Sequence, residues 1–311
     1  MIQTATPAAV PPAAPPAPDA RHSPALKRAQ RDRRRALLLL SPGVLWMLLF
    51  MVLPLLMVVY VSFWTQTTFA VSPDLTTASW EQFLGSSTYL SSIWTTLRIW
   101  VVVLATTLLI GYPVALFIGL MVRSKTLQTA LLVLCVIPFW TSFLIRVIAW
   151  RPMLGTEGAI NTILMNLGLI DAPLTFLLFS EFSVVVGMTQ IYCVFMVGPI
   201  TFMLARIDPS ILEAARDLGA GFGRIFWKII LPLSLPGVVV GAVFVSVMVL
   251  GEFATAASLS GRKVNLLGNI IVSQVGSLKW AFAAVAGVVL TVIISFIIGV
   301  LLRFVDLRKE V

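Results

Sequence analysis

Few side chains in this sequence could make or break a covalent bond. The single histidine, His22, lies in an Ala/Pro-rich stretch, so neither an HExxH zinc motif nor a serine–histidine pair can form. The two cysteines, Cys135 and Cys193, fall inside apolar runs without a CxxC partner and read as small core residues. No GxxxxGKS or GxxxxGKT run is present, so the sequence has no phosphate-cradling loop of that kind. No paired intramembrane aspartates argue for an intramembrane enzyme. What remains is charge in unusual places. Arg98, Arg146 and Glu252 sit near the ends of long apolar runs, where an ionisable group is costly and therefore a functional candidate. Glu252 would attract or coordinate a cationic solute; its plainer reading is an ion pair with Arg146 or Arg98. Trp140, Gln190 and Tyr192 could line a path, with aromatic rings offering cation–π contact to ammonium groups. Their plainer reading is contact between helices.

The elements that must position these groups are membrane spans. Of the 311 residues, 59% are hydrophobic and only 11% charged, against about 25% charged in a soluble domain. Mean hydropathy is +1.00. Six charge-poor runs reach the ~20 residues a crossing helix needs: Leu37–Phe63, Ile99–Val122, Thr126–Ile145, Phe182–Ala205, Ile229–Gly251 and Trp280–Leu302. The expected fold is an all-α membrane protein, a six-helix polytopic bundle. The first run is too long for a signal-peptide core and lacks a small-x-small cleavage site, so it is expected to be retained. Gly111, Tyr112 and Pro113 in the second run and Pro138 in the third permit kinks.

Charge gives the orientation. Six spans place both termini on one side, and that side holds 16 of the 22 basic residues and seven of the 13 acids. The other side holds six of each, so the whole net charge of +9 lies on the first. By the positive-inside rule the termini and the 206–232 segment are cytoplasmic. The basic balance thus reports topology and not nucleic acid, because no basic and aromatic residues interleave on a polar surface. Residues 1–36 are Ala/Pro-rich and then basic, expected to be a disordered tail whose cations touch anionic lipid. Residues 37–91 would be the first span and an extracytoplasmic loop with a short helix at "ASWEQFLG", and 305–311 a second cytoplasmic tail. Within 151–181, Ile160, Ile163, Leu164 and Leu167 recur at helical spacing before Gly168, which predicts a short amphipathic helix.

One polar segment interrupts the late spans: "DPSILEAARDLGAGFGRIFWKIILP", residues 208–232. Asp208 before Pro209 is a helix start. Ser210 with Glu213 is a competing capping box, and the two starts stay open. The helix would run to Gly219 as its C-cap. A second short helix is expected from about Arg224, with Pro232 ending or bending it. The first helix is shorter than the ~12–15 residues that hold in water alone. Ile211, Leu212, Ala215 and Leu218 form an apolar face; Arg216 and Asp217 point elsewhere. That face needs a partner, either this chain or another.

Glu213-Ala214-Ala215, Gly219, Ile229, Leu231 and Pro232 fill every fixed position of a known pattern. They resemble the cytoplasmic EAA signature of permease subunits of binding-protein-dependent ABC importers. "IPFWTSFLIRVIAW" at 137–150, "GAINTILMNLGLID" at 158–171, "EAARDLGA" at 213–220 and "GEF" at 251–253 are similar to the polyamine (spermidine/putrescine) branch. The likeness covers roughly Trp94 to Phe304 and departs at Ser260, where that branch more often has a glycine pair. It implies the type I importer permease fold over a core at 92–304. It also implies that residues 211–219 are a coupling helix docking on a separate ATPase. The partners implied are a second permease subunit, two ATP-binding subunits and an extracytoplasmic solute-binding protein. No cofactor is implied on this chain; ATP and Mg belong to the ATPase. The solute implied is a polyamine or a similar cationic or amino-acid-like compound, opine-type molecules included. The rival from another class is an ATP-independent secondary transporter or channel, although such carriers usually place acids near the bilayer midplane.

Overall fold

In the computed structural model the described residues are 39–66 and 71–303. The predicted tails at 1–36 and 305–311 lie outside them. The chain divides at Met57–Val58 into two units.

Helix α1, Leu39–Val61, is apolar enough to cross a membrane. Its interior widens into a π turn at Leu48–Val52, where the Leu53 amide donates to the Leu48 carbonyl. Pro54 follows at once, and a proline has no amide to donate.

The second unit begins with a feature that short-range patterns did not predict, an antiparallel hairpin of β1, Trp64–Gln66, and β2, Val71–Leu75. Helix α2, Ala78–Gly85, is the expected "ASWEQFLG" helix. Helix α3, Ser87–Met121, and α4, Lys125–Trp140, follow. The third expected span is not one straight helix. It breaks between Trp140 and Phe143, and the two helical stretches meet at 93°. Pro138 is the cause: its turn tightens to a 3₁₀ form, the Thr141 amide and hydroxyl both return to the Pro138 carbonyl, and Thr141 turns extended. Three short helices complete that arm: α5, Phe143–Ile148, α6, Trp150–Leu154, and α7, Ala159–Asn166. The last is the predicted amphipathic helix, closed by Gly168 at φ +67.

Helix α8, Glu181–Leu204, opens on a reciprocal cap between Ser180 and Ser183. Then come α9, Pro209–Asp217, α10, Phe222–Leu250, α11, Ala254–Leu259, α12, Leu267–Gly276, and α13, Trp280–Arg303. Among the described residues five helices are long and apolar enough to cross, and the bent pair makes a sixth. The expected second short helix near Arg224 is instead the start of α10, and Pro232 neither ends nor breaks it. A π turn at Phe226–Ile230 precedes the proline, with the Leu231 amide reaching back to Phe226. The wider turn accommodates the proline, as it does before Pro54.

Helix α8 is the axis of the second unit. Met188, Ile191, Met196, Ile200 and Leu204 are wholly buried. Helix α3 runs parallel to it, with Thr106 bonded to Thr189 at 2.8 Å and Gly111 against Met196. Helix α10 runs antiparallel to α3, with Trp100 donating to Ser246 and Tyr112 paired with Ser234, both at 2.8 Å. Phe282 at the start of α13 meets Tyr89 at the start of α3. One end of the unit, the hairpin end, therefore gathers the starts of α3, α8 and α13 and the end of α10. The opposite end carries α9.

Where α10 crosses α8, Gly237 and Gly241 form a small-xxx-small pair that lets the backbones close up. A Cβ at Gly237 would lie 2.7 Å from the Pro199 carbonyl oxygen, which is backbone and cannot swing aside. Gly198, one residue from that contact, has open space around it. Gly237→Ala should therefore destabilise the protein by about 1–3 kcal/mol in detergent thermal unfolding, and Gly198→Ala by far less. Equal effects would show that the close approach is not limiting.

Candidate functional site

The segment between α8 and α10 is built by local chemistry. Pro209 fixes the first turn of α9, and the Asp208 carboxylate accepts from the Ser210 amide at 2.9 Å. The Asp208 start is thus the one used, not the Ser210 box. The same bond holds the Asp208 carboxyl below its ordinary range. At the other end the Gly219 amide donates to Arg216 and the Ala220 amide to Ala215, at 2.8 and 3.0 Å, with Gly219 at φ +79. This is a Schellman closure, which needs a residue comfortable at positive φ.

The expected apolar face divides in two. Leu212 and Ala215 pack inward against the core of the chain, together with Ala220. Ile211 and Leu218 are exposed, Leu218 with 88% of its surface, and at the start of α10 Phe222 and Trp227 are exposed as well. Ala214, Glu213, Arg216 and Asp217 are also exposed. No ion pair joins Glu213, Arg216 or Asp217 to another described residue. In the frame behind them, Ile229 and Leu231 are half-buried, and Pro232 is exposed at the π turn. The chain thus satisfies one side of α9 and leaves charged and apolar groups together on the other.

Two of the five candidate pathway residues meet. Glu252 retains only 7% of its surface. One carboxylate oxygen accepts from the Tyr192 hydroxyl of α8, the other from the Thr255 amide at 2.9 Å, at the start of α11. The Glu252 backbone also lies against Gly268 of α12, where a Cβ would come within 2.7 Å of the Glu252 carbonyl oxygen. The expected ion pair with Arg98 or Arg146 does not form: Arg98 pairs with Glu181, and no ion pair to Glu252 occurs among the described residues. The physical reason is that a tyrosine and a helix N-terminus already fill both oxygens.

Arg146, half-buried on α5, holds its guanidinium 4.6 Å from the Phe139 ring centroid. Its Nε is buried with no hydrogen-bond partner among the described residues. Trp140 stands 79% exposed at the break in the third span. Gln190 is exposed on α8 and lines a mainly apolar cleft of about 530 Å³ with Thr189, Cys193 and Trp150. Sequence reasoning missed Thr255, Phe139 and the exposed Phe222. Only the last carried a sequence signal, an aromatic between two glycines. Among the described residues no group of three His, Cys, Asp or Glu side chains is placed to hold a metal.

Residues 111–311 match the family described as "Binding-protein-dependent transport system inner membrane component". The chain is 35% identical over 261 residues to the spermidine/putrescine transport system permease protein PotB of Haemophilus influenzae, covering 83% of this chain and 90% of that one. To PotB of Escherichia coli it is 32% identical over 259 residues, covering 83% and 93%. Among solved structures, a bacterial ABC transporter involved in the import of the acidic polysaccharide alginate shares the fold, at TM-score 0.70 and 21% identity over 90% of this chain and 100% of that one. The fold and these matches define an inner-membrane permease of the ABC importer class. The chain belongs to the binding-protein-dependent transport system inner membrane component family. It is a transport subunit and not an enzyme, and the stand-alone carrier or channel is set aside.

Tyr192→Phe deletes a hydrogen bond to a buried carboxylate and should lower stability by about 1.5–3 kcal/mol. Thermal unfolding in detergent checks this. An unchanged midpoint would mean the Tyr192–Glu252 bond does not hold the helices together.

Proposed function

We infer that this permease forms half of the translocation pathway of an ATP-driven importer and takes its energy through residues 211–219. The observation that carries the reading is the divided face of α9. Leu212 and Ala215 anchor the helix to this chain. Ile211, Leu218 and Phe222 leave exposed apolar surface near charges that form no ion pair among the described residues. A separate ATPase subunit supplies the missing surface, with Glu213, Ala214, Arg216 and Asp217 at its rim and the Gly219 turn fixing the angle of exit. Ile229, Leu231 and Pro232 frame the return into α10. The α9 end is the cytoplasmic one, consistent with its excess of Lys and Arg. Two ATPase subunits, a second permease and an extracytoplasmic solute-binding protein complete the assembly, and ATP and Mg stay on the ATPase.

The solute proposed is a polyamine of the spermidine/putrescine class, supported by the names of the two PotB relatives. Trp140, Arg146 and Gln190 are the pathway candidates with surface to offer. Tyr192 and Glu252 act one layer behind, holding α8 to the α10–α11 turn. The aromatic surface of Trp140 suits ammonium groups.

Leu218→Glu and Gly219→Val, made separately, should cut ATP-dependent spermidine uptake at least about tenfold, as loss of a central apolar anchor does, while membrane levels stay normal. Recovery of the ATPase with tagged permease should fall in parallel. Normal uptake by both variants would refute coupling through this segment. Uptake that persists without any ATPase and collapses with the proton gradient would restore the carrier reading.

A further inference from the structure

Three non-glycine residues adopt positive φ among the described residues: Phe179, Arg262 and Leu278. All three lie in segments at the hairpin end, before α8, between α11 and α12, and between α12 and α13. A leucine in this conformation is a sterically strained choice where glycine would be free. Strain of this kind points to function when the surroundings enforce it. At Leu278 they do. The Leu278 amide donates to Val275 and the Lys279 amide to Gln274, at 3.0 and 2.9 Å, closing α12. The Gln66 side chain of the hairpin then grips the turn, donating to the Leu278 carbonyl at 3.5 Å and accepting from the Ala281 amide at 3.2 Å. The result is a leucine held with 54% of its surface exposed.

Beside it opens a cleft of about 250 Å³, lined by Thr76, Ser79, Gln82, Gln274 and Lys279 among others. Among the described residues its lining carries hydroxyls, amides, the rings of Tyr89 and Phe282 and one cation, and no acid. Lys279 is exposed and has no ion pair among the described residues. Glu81, on the neighbouring helix, is bonded to Thr77. Hydrogen-bond donors around an ammonium group suit a carboxylate. An exposed apolar side chain on the residue next to the lining Lys279 suits a protein surface better than a free small acid.

We propose that the Leu278–Lys279 turn is a docking point for the solute-binding protein, with Lys279 and the cleft receiving an acidic side chain and Leu278 packing on its apolar neighbour. This rests on the importer reading, in which the hairpin end faces outward, opposite α9. The strained conformation serves to present the leucine.

The test uses the full transporter, permeases and ATPases together, reconstituted in nanodiscs with its purified solute-loaded binding protein. ATPase activity is followed against binding-protein concentration. Lys279→Glu should raise the half-maximal concentration about tenfold or more, and Lys279→Arg should stay near the parent. Leu278→Gly should raise it several-fold without lowering the melting temperature, because glycine relieves the backbone. A purely structural Leu278 would lower the melting temperature and leave the concentration dependence alone, which would overturn the proposal. Zero-length carbodiimide coupling should join Lys279 to an Asp or Glu of the binding protein. A crosslink to the second permease or to Asp74 or Glu81 of this chain would also overturn it. A complete complex that never hydrolyses ATP would instead overturn the importer reading beneath it.

Discussion

The close approach of α8 to α3 and α10 is the constraint on which the second unit depends. In lipid there is little hydrophobic gain from burying one apolar helix on another, so association rests on packing and on hydrogen bonds between helices. This chain uses both. Met196 is held between Gly111 on one side and Gly241 on the other, each near enough to touch a hypothetical Cβ. Where glycine cannot serve, a hydroxyl or indole bridges: Thr106 to Thr189, Trp100 to Ser246, Tyr112 to Ser234. Each bridge satisfies groups that lipid would leave bare, so polarity inside the bundle acts as structure first. Glu252 is the extreme case, a carboxylate consumed by Tyr192 and the start of α11.

The two ends of the unit differ in kind. At the α9 end the backbone is relaxed: glycine occupies the positive-φ position at 219, and the exposed groups sit on an ordinary capped helix. At the hairpin end, side-chain-bearing residues occupy positive φ at 179, 262 and 278, and short elements lean on one another. Gly261, for example, comes so close to Phe179 that a Cβ would lie 2.8 Å from that side chain. On the proposed reading the α9 end engages its ATPase continuously, and such a surface can rely on an apolar patch. A surface that must receive and release a partner benefits from being pre-shaped, because little remains to be ordered on binding.

What could be read from the sequence follows the range of the interactions. The α9 segment was legible because its start and stop are set within a few residues, by Asp208, Pro209 and Gly219. Even there, the choice between Asp208 and Ser210 needed the observed bond to the Ser210 amide. The spans were legible as apolar runs, α7 by the spacing of its apolar residues, and α2 only as a stretch long enough for one short helix. The break at Thr141 was half legible: Pro138 marked the place, but not whether the helix would bend or stop. The hairpin was not legible, because β1 is only three residues and its pairing is set by tertiary contact. Nor were the partners of Glu252. Tyr192 lies 60 residues away, and charge alone made Arg146 look the better match.

The proline at 232 bears on how force could travel. A proline inside a helix usually bends it, and a bend between α9 and the bundle would absorb any push delivered at the cytoplasmic end. Here the π turn at Phe226–Ile230 takes up the missing amide, so α10 continues from Phe222 to Leu250. At ~1.5 Å per residue its 29 residues span about 44 Å. Its far end leads into Glu252, which is tied to α8 through Tyr192 and to α11 through Thr255. On the proposed reading, docking on α9 moves a helix that runs unbroken past Pro232 and carries a second proline, Pro236, in its interior, and whose other end is fastened to the outward-facing elements. Tilt can then reach both faces through α10, and the contacts of Gly237 and Gly241 with α8, next to Pro236, set the pivot.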